Sequence, residues 1–282
     1  MIYFKSIYYI AKKEIMDNIR NLWLIIVTII FAVLTIAMSA LGSIFSDEWQ
    51  SLDVTVTLMM GIVQLLVPII ALMLGYAAIV KEIENGSMNA MISLPVKRSE
   101  ILLGKFFGLG SVLSFTILVG FGLAGVVIGI MVPDVNYLEY LVFIGATILI
   151  GLVYLNVALF FSTLFKKRST ALGGAIFLWF FFNMILPIIL VGVAFAGAAI
   201  EDIIAGNVPE WYYGVQLINP MSAYSALVSL NVGNMDTIST GTGGVQLHYP
   251  EFYTSGLMLA IIAIWIVSFL ALAYWRFYKK DI

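Results

Sequence analysis

Long apolar runs, separated by short segments that carry the charges, divide this sequence along its whole length. Six of the runs contain no charged residue, and each exceeds the roughly 20 residues that a helix needs to cross a hydrocarbon core of about 30 Å. The pattern therefore predicts an all-α polytopic membrane protein with six transmembrane helices. The predicted spans cover residues 22–45, 54–80, 106–132, 140–165, 170–200 and 252–275.

Segment 3–20, ahead of the first span, has an apolar stripe along one side of a helix. The stripe consists of Phe4, Ile7, Tyr8, Ala11, Ile15 and Ile19, whereas Lys5, Lys13, Asp17 and Arg20 lie off it. Basic residues beside an aromatic stripe are typical of an amphipathic helix that lies in the headgroup layer. We therefore expect an interfacial helix here, and the alternative is a soluble tail.

The composition supports a membrane protein and excludes several classes of site. Hydrophobic residues make up 62% of the 282 residues, charged residues 11%, and the mean hydropathy is +1.06. The absence of cysteine excludes disulfides and thiol nucleophiles, and His248 is the single histidine, so we expect no metal site. The charged segment before the first long apolar run argues against a cleavable signal peptide.

The basic residues predict the orientation in the cell membrane. With six crossings, all 14 Lys and Arg residues fall on one side, which the positive-inside rule assigns to the cytoplasm, together with both termini. A seventh crossing at 211–235 would move the basic residues after residue 275 to the outside, so we expect that segment not to cross. It belongs to a large external loop, 201–251, in which Pro220 can start a lid or re-entrant helix and 237–244 is expected to be a flexible loop.

The loop 81–105 is the longest interruption that carries charges of both signs. Gly86 can end one helix, Ser87 can cap the next, and Pro95 stops that helix after about two turns. The resulting helix, 87–94, carries Met88, Met91 and Ile92 at helical spacing. These side chains either fold back onto the neighbouring helix ends or form a docking surface for a soluble protein.

Other motifs exclude functions rather than suggest them. The G-x-G-x-x-G at residues 120–125 lies inside the third span, and Gly104-Lys105 lacks the rest of a phosphate-binding loop, so we interpret both as sites of helix packing. None of the spans contains a charged residue, which argues against an ion-coupled transporter. Among the polar residues that remain, Gln64, Asn156 and Asn183 either join helices by hydrogen bonds or line a pathway.

The charged loop resembles the signature loop of ABC-2 type permeases, the membrane subunits of ATP-driven exporters. The resemblance lies in Glu82-Ile-Glu84-Asn-Gly86-Ser87, followed by Ile92-Ser-Leu94-Pro95-Val-Lys-Arg98 and Leu103-Gly104-Lys105. It is similar to the single-domain, six-span branch that includes the sodium-export and copper-enzyme-maturation permeases. One departure is Lys97, where that family more often has Ser or Thr.

The resemblance implies a permease that uses ATP hydrolysed by a separate ABC ATPase, which also binds the Mg²⁺, so this chain itself carries no cofactor and is not an enzyme. It implies a homodimer or heterodimer of permeases in the lipid bilayer, with no nucleic-acid partner. The implied ATPase-coupling residues are Glu82, Glu84, Gly86, Ser87, Met88, Met91, Ile92, Leu94, Pro95 and Arg98. The implied pathway residues are Gln64, Pro68, Trp179 and Asn183. The alternative is a membrane anchor or assembly scaffold that recruits a cytoplasmic partner without transport.

Overall fold

The computed structural model describes residues 2–45, 52–93, 95–131, 135–197, 210–232, 237–239 and 246–280. The chain in these ranges is helical apart from one short hairpin of two strands. In chain order the helices are α1 (Ile2–Ile19), α2 (Leu22–Phe45), α3 (Leu52–Gly75), α4 (Val80–Glu84), α5 (Ser87–Ile92), α6 (Arg98–Met131), α7 (Tyr137–Leu164), α8 (Arg168–Phe180), a π-helical turn (Phe181–Ile185), α9 (Leu186–Gly197), α10 (Glu210–Gln216), α11 (Pro220–Ser229) and α12 (Ser255–Tyr278).

The prediction of a helical polytopic membrane protein is confirmed. Five helical stretches of the described chain have the length and hydropathy of a membrane span: Thr55–Glu84, Arg98–Ile130, Tyr137–Leu164, Arg168–Val193 and Ser255–Tyr278. These stretches coincide with the second to sixth predicted spans. The first predicted span corresponds to α2, an uncharged helix of 24 residues whose described apolar stretch is Ile25–Ala37.

Helix α7 forms the centre of the bundle. The buried share of its most apolar stretch is 67%, whereas the buried share in the segment that contains α8 and α9 is 6%. Tyr154, Phe143 and Leu155 of α7 are buried, and α3, α6 and α12 pack around them. The α8–α9 segment therefore lies at the edge of the subunit, exposed to the membrane or to another protein.

Two glycines of α6 allow the surface helix α1 to pack directly on the bundle. A Cβ atom at Gly104 would lie 2.7 Å from Ile10 Cβ, and one at Gly108 would lie 2.7 Å from Glu14 Cβ. Any larger residue would push the helices apart, because both distances are shorter than real Cβ contacts. The predicted packing role is thus correct for these two glycines, but α1 rather than a transmembrane helix is the partner. Gly122 has nothing within 4 Å, so the packing role predicted for residues 120–125 is wrong at that position.

The described part of the external segment 201–251 folds into two short helices and the hairpin. Helix α11 has 10 residues, about half the length that a crossing requires. Met221, Leu227 and Val228 of this helix are buried. Tyr224 is also buried, and its hydroxyl oxygen lies 3.1 Å from that of Thr147 of α7. Strands β1 (Thr237–Ser239) and β2 (Gln246–His248) pair antiparallel, so the expected loop at 237–244 begins as a strand.

Candidate functional site

The coupling segment, defined here as Val80–Arg98, starts with a tight reversal between two short helices. Gly86 joins α4 to α5 at a φ of +71°, a left-handed conformation that glycine adopts without the steric cost of a side chain. The Ser87 hydroxyl donates to the Glu82 carbonyl oxygen across this turn, at 3.3 Å. Helix α5 begins at Ser87, as predicted, and ends at Ile92, two residues before the predicted end and ahead of Pro95.

Met88 faces the inside of the permease. Its side chain is fully buried in a small cluster with Ile79 of the preceding turn, Ile101 and Leu102 of α6, and Phe277 of α12. The expectation that Met88 presents an outward docking surface is therefore wrong, because α6 and α12 cover the inner side of α5. The side chains of Met91 and Ile92, and Leu94 as a whole, lie outside the described residues.

A buried ion cluster joins α4 to α6 and to the surface helix. The Lys105 ammonium is 2.6 Å from Glu14 Oε1 of α1 and 2.8 Å from Glu82 Oε1 of α4, and the lysine is 1% exposed. The second oxygen of Glu82, Oε2, is buried and has no hydrogen-bond partner among the described residues. Such a cluster fixes geometry more than it adds stability, but removing one partner leaves an uncompensated buried charge.

Glu84 joins the other side of α4 to the start of α8. Its carboxylate accepts from the backbone N–H of Arg168 at 2.8 Å and from the Nε of the same residue. An acidic group at a helix N-terminus is favoured both by the free N–H groups and by the helix dipole. Glu84 therefore links the end of α4 to the first turn of α8.

Arg98 and Lys280 fasten the far end of the coupling segment to α12 and α7. Arg98 Nη1 donates to three carbonyl oxygens at the end of α12, those of Phe277 (2.7 Å), Tyr278 (3.1 Å) and Lys280 (2.8 Å). The Lys280 ammonium in turn donates to the carbonyl oxygens of Thr163 (2.7 Å) and Phe165 (2.5 Å) at the end of α7. Burial, together with the nearby Arg276 and Lys166, lowers the pKa of Lys280 to about 8.

These contacts connect the coupling segment with α1, α6, α8 and α12, and through Lys280 with α7. Glu82, Glu84 and Arg98, which the resemblance assigns to the ATPase interface, all bind partners within the permease. The sequence did not single out Glu14, Arg168 and Lys280 as their partners. One signal was present for Glu14, which lies at the edge of the apolar stripe of α1, three residues after Ala11.

A polar cavity of about 690 Å³ adjoins the ion cluster, between α1, the end of α3 and α4. Charged side chains from the helices on both sides of the cavity line it, together with asparagine residues and Tyr76. On the coupling segment next to the cavity, Lys81, Asn85, Ser87 and Asn89 are exposed. The described outer surface of this segment is therefore polar, unlike the apolar surface expected for a docking helix. The lining charged side chains are Lys13, Glu14, Asp17, Lys81, Glu82, Lys105 and Arg168.

The fifth predicted span is interrupted by the π-helical turn Phe181–Ile185, just ahead of Pro187. The N–H of Leu186 bonds the carbonyl oxygen of Phe181 in the π-helical pattern. The next donor in that pattern would be residue 187, but proline has no N–H, so the Phe182 carbonyl loses its backbone partner. The side-chain Nδ2 of Asn219 donates to that oxygen at 2.8 Å. The helix irregularity thus provides an attachment point for α11.

Two of the four implied pathway residues, Trp179 and Asn183, are joined by a hydrogen bond at this interruption. Asn183 Nδ2 donates to the Tyr154 hydroxyl at 3.1 Å and to the Trp179 carbonyl oxygen at 2.9 Å. Asn183 Oδ1 and the Trp179 indole N–H are buried without a partner among the described residues. Gln64 is exposed on α3, and Pro68, one turn further, is buried, so neither takes part in this hydrogen-bonded group.

Asn156 was predicted either to join two helices or to line a pathway. Its Nδ2 donates to the Leu152 carbonyl oxygen of its own helix at 3.1 Å. The residue is fully buried, and Oδ1 has no partner among the described residues. This amide group therefore uses its donor within α7 rather than between helices.

Comparison with known proteins decides the family. The family model described as ABC-2 family transporter protein matches residues 8–282, nearly the whole chain. The chain belongs to the ABC-2 transporter family. It is 31% identical over 279 residues to the "Probable ABC transporter permease protein NosY" of Pseudomonas aeruginosa, covering 97% of this chain and 98% of the relative. It is 29% identical over 281 residues to the protein of the same name from Stutzerimonas stutzeri, covering 98% and 99%.

Membership of this family means that the protein is a membrane permease subunit of an ABC transporter. Subunits of this kind associate with an ATPase subunit and are generally not enzymes themselves. The ion cluster, the Glu84–Arg168 contact and the Arg98 contacts are therefore features of a transporter subunit, located on the loop that carries the family resemblance.

Proposed function

We propose that the permease receives the motion of a cytoplasmic ABC ATPase at the coupling segment and passes it to the bundle through ionic contacts. The observation that carries this proposal is the set of contacts of α4 and Arg98 to four helices: Glu82 through Lys105 to α6 and α1, Glu84 to α8, and Arg98 to α12. A segment with these contacts cannot move without moving the helices that it is bound to.

In this proposal the ATPase binds ATP and Mg²⁺, and the permease supplies no catalytic group. The contact with the ATPase is formed by the exposed polar residues Asn85, Ser87 and Asn89, together with Met91, Ile92 and Leu94. The chain pairs with a second permease, in a homodimer or a heterodimer, and exports its substrate. Trp179 and Asn183 lie beside the pathway, and Gln64 and Pro68 are assigned to it by the family resemblance alone.

The topology that we propose has six crossings, with both termini in the cytoplasm of a cell-membrane protein. It is supported by the one-sided distribution of basic residues and by the short length of α11. Because the chain has no cysteine, single cysteines at Ile218, which is 54% exposed, and at Lys279 provide a direct test. An impermeant maleimide applied to intact cells should label the Ile218→Cys protein only. Labelling of both proteins would contradict this topology.

Charge reversal tests whether the contacts transmit motion. Glu84→Arg and Arg168→Glu each break the exposed pair, and the double variant restores it in reverse. Each single variant should retain the co-purified ATPase but lose the permease-dependent change in its ATP hydrolysis rate, and the double variant should regain it. A loss of co-purification in Glu84→Arg that Arg168→Glu does not repair would instead make Glu84 a docking residue. If ATP hydrolysis is coupled in every variant, the transmission role is wrong.

A further inference from the structure

An apolar crevice of about 460 Å³ lies on the side of α1 that faces away from the polar cavity. The hydroxyl groups in its wall are largely occupied: Ser111 donates to the Phe107 carbonyl oxygen at 2.7 Å, and Thr116 to that of Val112 at 3.1 Å. The crevice thus offers hydrocarbon and little free polar surface. Its walls are Ile15 and Ile19 of α1, Ile25, Thr28 and Ile29 of α2, and Ser111, Val112, Phe115 and Thr116 of α6.

The depth of the crevice corresponds to a single leaflet. The ionic group of Lys105 marks the polar surface on α6, and Phe115 follows ten residues later, a rise of about 15 Å along a helix. That distance is about half of a hydrocarbon core of about 30 Å. On the other wall, Ile29 lies seven residues beyond Leu22, the first residue of α2, a rise of about 10 Å. The crevice therefore runs from the membrane surface to about the bilayer midplane.

Basic residues border the open side of the crevice. Lys12 lies one turn before Ile15 on the same side of α1. Arg20 lies in the turn that joins α1 to α2, two of the helices that form the crevice wall, and both basic side chains are exposed. The acidic side chains nearby do not face the crevice. Glu14 is bound to Lys105, and Asp17 lines the polar cavity on the opposite side of α1.

We propose that the crevice binds one anionic phospholipid, with an acyl chain between α1, α2 and α6 and the phosphate at Lys12 and Arg20. The large side chains at the opening, Ile25 (43% exposed), Ile29 (56%) and Phe115 (62%), are suited to hydrocarbon rather than water. Basic residues near a membrane surface attract anionic headgroups. The site does not depend on the role of the coupling segment in transport.

Native mass spectrometry of the purified permease, titrated with phosphatidylglycerol or phosphatidylcholine, tests the headgroup. The wild-type protein should retain one phosphatidylglycerol at least about fivefold more tightly than phosphatidylcholine. Lys12→Gln should reduce this preference about fivefold. Lys13→Gln is the matched control, because Lys13 faces the polar cavity, and it should leave the preference unchanged. Equal binding of the two lipids, or equal effects of the two variants, would overturn the proposal.

A second pair of variants tests the acyl chain. Ser111→Trp fills the crevice from an exposed position, and Ser114→Trp makes the same change outside it. We expect Ser111→Trp to abolish the retained lipid and Ser114→Trp to keep it. Thermal unfolding of both proteins in detergent provides the folding control. If both folded variants retain the lipid, the crevice is not its binding site and the proposal fails.

Discussion

The side-chain amide of Asn219 donates a hydrogen bond to the carbonyl oxygen of Phe182, at 2.8 Å. The same side chain accepts from the backbone N–H of Met221 at 2.9 Å and so caps α11. One residue thus completes the backbone hydrogen bonding of two segments that are far apart in the sequence. Because the Asn-Pro pair starts α11, the position of α11 is tied to the interruption in the fifth predicted span.

Replacing Asn219 by Asp should separate the two functions of this side chain. Aspartate keeps the acceptor for Met221 but removes the donor to Phe182, and it places negative charge against a carbonyl oxygen. We expect a loss of about 1–3 kcal/mol in stability, because a buried carbonyl is left unpaired. Thermal unfolding of the purified protein measures this loss as a lower midpoint.

The control is Asn136→Asp, at the exposed cap of α7, where the side chain accepts from the Leu138 N–H at 3.2 Å. That change keeps the cap acceptor, but it replaces the hydrogen bond from Asn136 Nδ2 to Glu139 Oε1 (2.7 Å) by two neighbouring carboxylates. Because this pair is exposed, its repulsion is screened by water, and the unfolding midpoint should fall less than in Asn219→Asp. Similar shifts in both variants would show that the bond to Phe182 contributes no more than an exposed contact.

Lys105→Met should be strongly destabilising. It leaves Glu14 and Glu82 without their cation in a buried site, which typically costs about 3–5 kcal/mol. The exposed Glu84–Arg168 pair is the comparison, because Arg168→Met breaks a solvent-screened contact and should cost much less than Lys105→Met. Unfolding midpoints of the two variants check the difference.

The same cluster allows a rescue experiment. Adding Glu14→Gln and Glu82→Gln to Lys105→Met removes the uncompensated charges and should restore part of the lost stability. A triple variant that is less stable than Lys105→Met alone would show that the loss comes from packing around the lysine stem.

The lowered pKa of Lys280 predicts a pH dependence of stability. Unfolding returns this amine to its ordinary pKa of 10.5, so between pH 8 and 10.5 the unfolded chain binds more protons than the folded chain. The contribution of Lys280 to stability should therefore increase as the pH rises through this window, and be lowest below pH 8. Unfolding midpoints at pH 7 and pH 9.5 (about half-way into the window) measure the trend.

Lys280→Met provides the comparison, since it removes the titrating group. The difference between wild-type and variant midpoints should change in favour of the wild type as the pH rises. A difference that stays constant over this range would mean that Lys280 keeps an ordinary pKa in the folded protein.

Met88 and Met91 should respond differently to substitution although both belong to α5. Met88→Ala removes a fully buried side chain and should cost about 2–5 kcal/mol of stability, with little effect on how much ATPase each folded permease retains. Met91→Asp, at a position assigned to the ATPase contact, should weaken ATPase association about tenfold or more. Pull-down of the ATPase, normalised to folded permease, separates the two effects. An unchanged pull-down for Met91→Asp would contradict the docking role.

The membrane spans and the short coupling helix could be predicted because their causes are local. A continuous apolar run crosses a bilayer, a glycine such as Gly86 permits a chain reversal, and a proline such as Pro95 ends a helix. Each of these effects depends only on nearby residues. The inward orientation of Met88 was not predictable, because the residues that cover it come from α6 and from Phe277 near the other end of the chain. Periodicity in a helix of six residues cannot say which side another helix will cover.

The same limit applies to the ionic partners. Glu14 and Lys105 are 91 residues apart, and a list of charges contains no information about which of them meet. The Asn219–Phe182 bond depends on a π-helical turn, which the apolar pattern of the fifth span does not reveal. The predicted pathway group had the same limit. Trp179 and Asn183 lie one turn apart in the fifth predicted span, but Gln64 was grouped with them by the family resemblance alone.

The close packing of α1 on Gly104 and Gly108 has a consequence for the order of events during synthesis. Helix α1 leaves the ribosome first, but the surface and the cation that it packs against belong to α6, which is made much later. Until then Glu14 has no lysine to bind, and α1 can only rest on the lipid through its amphipathic face. Final docking of the first helix must therefore wait for the third predicted span to enter the membrane, so the segment that is made first reaches its native position only after that later helix.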